Sequence, residues 1–128
     1  MNRIILYLII VSAFTSSSCT KNSSDTSVPT ITFTLPVQNQ VYTSGQIVNI
    51  KGTLSDNELH EAKLTITNNA GGTELYSKYL SVHGAPDYPM NENWTPLVAV
   101  VVNATIKMEV SDFSGNKAEK TVSITINP

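Results

Sequence analysis

Ala104 to Ile126 reads ATIKMEVSDFSGNKAEKTVSITI, and its period decides the fold. Ala104, Ile106, Met108 and Val110 alternate with Thr105, Lys107 and Glu109. Beyond the turn, Val122, Ile124 and Ile126 alternate with Thr121, Ser123 and Thr125. Successive side chains of a strand point to opposite faces, so each run has one side for a core and one for water. Asp112-Phe113-Ser114-Gly115-Asn116 carries turn chemistry between them. The two runs are therefore expected to pair as a hairpin whose alternation sets its register.

The same period extends toward the N-terminus. Ile31, Phe33 and Leu35 alternate with threonines before Pro36 ends the run. Val48, Ile50 and a small Gly52 share one parity, and so do Ala62, Leu64 and Ile66. Glu74 to Val82 reads as a strand with aromatics on both parities. Leu97 to Val102 is continuously apolar, as expected of a strand covered on both faces or of a short connection. Ser55-Asp56-Asn57, Asn68 to Gly72 and Ser114-Gly115-Asn116 punctuate the runs. Helical period is missing throughout, with one turn at most between Asn57 and Lys63. About seven short strands between Thr30 and Pro128 predict an all-β antiparallel sandwich, because two facing sheets cover both apolar faces. The first strand, Ile31 to Leu35, would lend an edge to strand addition.

Composition sets the outer bounds. The chain has 128 residues, enough for one ordinary domain. Eight basic residues against ten acidic ones make no electrostatic case for nucleic acid. A lone Cys excludes an intrachain disulfide framework and a Cys-rich zinc site.

That Cys ends a distinctive leader. Met1-Asn2-Arg3 is positively charged, Ile4 to Phe14 is apolar apart from Ser12, and Ser16-Ser17-Ser18 precede Cys19. A charged start, a short apolar stretch and a small-residue cleavage region are the parts of an export signal. The apolar stretch would rise only about 16 Å as a helix, roughly half a bilayer's hydrocarbon core. Small residues before Cys19 resemble the lipobox of bacterial lipoproteins, although Ser16 stands where Leu is usual. The resemblance implies cleavage before Cys19, acyl chains on that thiol and a membrane as the first partner. Thr20, which is not the Asp that retains such proteins at an inner membrane, implies an outer-membrane destination. Thr20 to Pro29 is polar and small, the composition of a flexible spacer. Three segments are thus expected: a signal peptide over 1–18, lipidated Cys19 with a tether over 19–29, and the domain over 30–128.

Pro29-Thr30-Ile31, Gly45, Ser55-Asp56-Asn57 and the turn from Val110 to Asn116 together resemble bacterial immunoglobulin-like domains, including single-domain Ig-like lipoproteins of undefined role. The resemblance covers residues 29 to 128. Paired cysteines and the tyrosine of the usual corner are missing, which sets the chain apart from antibody-type domains.

Such a fold brings two loops to the end where the spacer enters. Asp56, Asn57 and Glu58 lie on one, and Asp112 and Asn116 on the other. Their oxygens could converge on Ca²⁺, which takes six to eight of them, or bond their own turn backbones. No other cofactor is expected. His83 to Pro96 (HGAPDYPMNENWTP) reads as a long loop. Tyr88 and Trp94 could stack on a sugar ring while Asp87, Asn91 and Asn93 bond its hydroxyls; alternatively Trp94 plugs the core. His60 and His83 could serve chemistry only if the fold joined them, and no spacing in the sequence does so. Without a nucleophile elbow, a phosphate loop or a zincin pair, the chain does not read as an enzyme. The function expected is a non-catalytic, lipid-anchored interaction or adhesion module; the alternative is a carbohydrate-binding accessory lipoprotein of a glycan-uptake system.

Overall fold

A computed structural model describes residues 25–128, and among them there is no helix. The expected signal peptide over 1–18, Cys19 and residues 20–24 of the expected spacer lie outside the described residues. Eight strands form: β1 (Thr30–Leu35), β2 (Gln40–Thr43), β3 (Val48–Ser55), β4 (Leu59–Asn68), β5 (Glu74–Leu80), β6 (Asp87–Trp94), β7 (Val102–Asp112) and β8 (Lys117–Asn127). One sheet has the order β1-β3-β6 and faces a second of order β2-β8-β7-β4-β5. This two-sheet, Greek-key arrangement is an immunoglobulin-like sandwich.

The alternating runs bury the parity their sequence marks. Ala104, Ile106, Met108 and Val110 of β7 are buried, as are Val122, Ile124 and Ile126 of β8. The expected hairpin is present, with register running from Ser111↔Lys117 to Val102↔Ile126. From the facing sheet, Val48, Ile50 and Leu54 of β3 close the core. Burying a side chain of this size stabilises by roughly 1.5–3 kcal/mol, so the shared core holds the two layers together.

Three expectations need correction. The chain splits its first edge: a break at Pro36 carries it from β1 to β2, an unforeseen strand that runs parallel to β8. The sandwich is therefore not wholly antiparallel. The expected 83–96 loop contains β6, which pairs with β3 from Val48↔Trp94 to Ser55↔Asp87. Pro89 lies on an edge strand, the part of a sheet where a residue without an N–H is tolerated. Of Leu97 to Val102, only Val102 joins a strand, so the connection reading holds and the covered-strand reading does not. The segment from Asn57 to Lys63, read as holding one helical turn at most, has none, and β4 begins within it at Leu59.

The edge of β1 is partly occupied. Its outer side has no strand partner among the described residues, but the Lys120 ammonium from the opposite sheet donates to the Ile31 carbonyl at 3.1 Å. On the far side of the sandwich, Lys78 of β5 and Glu92 of β6 form an ion pair at 2.6 Å that links the two sheets. Inward-facing charges of this kind discourage further strand pairing.

Candidate functional site

Asp112 is the last inward residue on the parity of β7, so the strand itself carries a carboxylate to the rim of the core. It is only 3% exposed. Its oxygens accept from the Asn116 backbone N–H at 2.8 Å and from the Asn116 amide at 2.6 Å. Gly115 adopts φ 88° to close this turn, a conformation that glycine enters without steric cost. The Asn116 amide also donates to the backbone carbonyl of Asp25 at 2.9 Å. The Asn57 amide donates to the Asp25 carboxylate at 3.3 Å. Residues at the end of the expected spacer are thus tied to the sandwich, and Pro29 is buried.

Asp25, Asp56 and Asp112 each place a carboxylate oxygen within 4.8 Å of the others. Asp56 and Asp112 were legible as candidates; Asp25 was not, because it lay in a stretch read as spacer. Glu58 is exposed and stands outside the trio, while Asn57 and Asn116 serve it as hydrogen-bond donors. Each carboxylate also accepts a local backbone N–H: Asp25 from Ser27, Asp56 from Glu58, and Asp112 from Asn116. The Ser27 N–H, followed by the Asn57 amide, holds the Asp25 carboxyl below its ordinary value of 3.8. Both readings of these residues therefore have a basis: the turns are made, and their oxygens also converge in a manner suited to a hard cation.

The alternation of β6 divides the other candidate set between two faces. Tyr88 and Trp94 share the inward parity with buried Met90 and pack against the core. Asp87, Asn91 and Asn93 take the opposite parity and are exposed. Sugar-stacking aromatics and hydroxyl-bonding groups thus do not share one platform. Asp87 instead accepts a hydrogen bond from the Ser55 hydroxyl at 2.5 Å and lines a shallow recess with Ser27, Thr30, Asp56 and Asn57.

The opposite end of the sandwich differs in chemistry. The 44–47 loop and the 95–101 connection are joined by Gly45 N–H to the Pro96 carbonyl at 2.7 Å. The Val98 N–H donates to the Ser44 hydroxyl at 2.9 Å. On these loops Leu97 is 84% exposed, Val100 69%, Val101 57% and Ile47 53%. β3 runs from this end to the acidic one, and its eight residues put the two about 25 Å apart. Sequence reasoning marked the 97–102 stretch as apolar but did not read it as a surface.

No family model and no curated protein matches the chain. Among solved structures, an engineered protein superposes with a TM-score of 0.56 at 11% identity over 78% of this chain. The chain spans 20% of that protein's length. The fibronectin(III)-like modules of CbhA from Clostridium thermocellum give 0.48 at 19% identity, covering 76% of this chain and 94% of theirs. CopC from Methylosinus trichosporium OB3b gives 0.48 at 14%, covering 78% and 94%. At these identities the likeness is one of fold alone.

Proposed function

We propose that this chain is a non-catalytic, lipid-anchored module of the bacterial outer membrane that displays its distal loops to a protein partner. The observation that carries the reading is the contrast between the ends of the sandwich. The chain comes from the Cys19 side at the acidic end, where Asp25 is hydrogen-bonded to Asn57 and Asn116. Leu97, Val100, Val101 and Ile47 are exposed on joined loops at the other. Single exposed apolar residues are ordinary, whereas a cluster on adjoining loops marks an interaction surface. Acyl chains on Cys19 would fix the acidic end at a bilayer, since two or more chains are needed for stable anchoring. The apolar loops would then face away from it.

Two measurements test this together. Intact-mass analysis and membrane fractionation should find the wild-type product acylated and sedimenting with the outer membrane, and the Cys19→Ser product released. A photo-crosslinking residue at Leu97, in intact cells, should give one discrete protein adduct, absent when the probe is placed at exposed Glu119. An unacylated wild-type product would overturn the anchor. Identical adduct patterns from both positions would overturn the display surface.

A further inference from the structure

β4 bulges close to its start. Leu59 pairs with Asp112 and Glu61 with Ser111, leaving His60 as the extra residue. A bulge turns its side chain away from the regular alternation, and such features recur beside functional sites. The His60 ring comes to lie 5.3 Å, centroid to centroid, from that of His83 in the 81–86 connection. Phe113, in the β7–β8 turn, packs 4.4 Å from His60 and 4.6 Å from His83. Backbone bonds hold the three segments in place. The Gly84 N–H donates to the Leu59 carbonyl at 2.7 Å, the Leu59 N–H to the Ala85 carbonyl at 3.0 Å, and the Phe113 N–H to the Glu58 carbonyl at 3.3 Å.

One atom in this cluster is unsatisfied. Nδ1 of His60 is buried and has no hydrogen-bond partner. A buried polar atom left unpaired loses the hydrogen bonds it made with water, so such an exception asks for a ligand or another reason. Ring packing alone would not supply one. The spacing of the two imidazoles does suit a ligand. A metal–nitrogen bond of about 2.0–2.1 Å puts each ring centroid about 3.2 Å from a bound ion. At a tetrahedral angle the two centroids would then stand about 5.2 Å apart, close to the separation observed.

We propose that His60 and His83 form a two-imidazole site for a borderline divalent transition-metal ion of the Zn²⁺, Ni²⁺ or Cu²⁺ class. Imidazole nitrogen suits these ions, while hard cations prefer oxygen. The site is therefore chemically separate from the carboxylates of Asp25, Asp56 and Asp112, although the β7–β8 turn borders both. His83 is exposed and leaves the ion a path from solvent, and the Phe113 ring packs against both imidazoles. Water fills the remaining coordination positions.

The test uses the full chain in detergent, purified without a polyhistidine tag, and titrated with Zn²⁺ by calorimetry. One ion should bind per chain, and His60→Gln and His83→Gln should each weaken binding at least about tenfold. Asp25→Asn should leave it unchanged. Cu²⁺ loaded at one equivalent should show two coordinated imidazoles by electron paramagnetic resonance in the wild type and one in each variant. His83 is exposed on a connection, so His83→Gln carries the test even if His60→Gln disturbs the bulge. Equal Zn²⁺ affinity in wild type and His83→Gln, or a Cu²⁺ spectrum without imidazole nitrogen, would show that the rings only pack on Phe113.

Discussion

At Gly52 a methyl group would collide with the backbone carbonyl of Thr32, and Cε of Met90 would stand 3.1 Å away. The position lies opposite Phe33, beside the irregularity in β1. Backbone cannot yield as the tip of a flexible side chain can, so strand separation would have to absorb the clash. Gly52→Ala should therefore destabilise by about 3 kcal/mol, at the upper end of ordinary overpacking. Urea denaturation checks this, and a loss below about 1 kcal/mol would show that β1 moves aside freely. The sequence marked Gly52 as a small residue on the core parity, and the reason is now visible. The meeting of His60 with His83 was beyond its reach. It depends on a bulge and on a connection folding back over Leu59, and neither leaves a periodic trace.

Strands with strict alternation were legible for a physical reason: one face is buried along the whole of β7 and from Val122 to Ile126 in β8. β6 was not, because Pro89 and its asparagines resemble loop chemistry, and its inward residues include the charged Glu92. Its parity of Tyr88, Met90, Glu92 and Trp94 was the available signal. Glu92 is acceptable there because Lys78 reaches it across the gap between the sheets, and the same hydrogen bond raises the pKa of Lys78. The lysine is half exposed, so the pair should contribute modestly. Lys78→Ala is expected to lower the urea midpoint slightly, leaving a mostly buried Glu92 without its cation. The loss should shrink in high salt, which screens exposed charge. Paired urea melts at low and high ionic strength measure it; a large, salt-independent loss would mean the lysine stem, not its charge, seals the edge.

For the whole molecule, the junction at residues 25–29 would set how freely the body swings on the anchor proposed at Cys19. Residues 25–29 were read as slack spacer from composition alone, yet Asp25 meets two loops that are distant in sequence. Such long-range partners leave no local signature, which is why the junction was illegible while the strands were not. The hydrogen bonds to Asp25 favour its ionised form and hold its carboxyl below 3.8. A carboxyl depressed in the docked state favours docking above its ordinary value, and that contribution is lost as pH falls through the lowered one. The amide signals of Ser27 and the side-chain amide of Asn57 should therefore change as pH falls below the ordinary carboxyl value of 3.8, in a range where β7 and β8 amides stay protected. The carboxylates of Asp56 and Asp112 lie close by, so Asp25→Asn is the deciding variant: it should remove the transition at Ser27 while the core spectrum is retained. If Ser27 responds to acid identically in that variant, the tether is held by the Asn116 bond to the Asp25 backbone rather than by the carboxylate, and the junction has no acid-labile clasp.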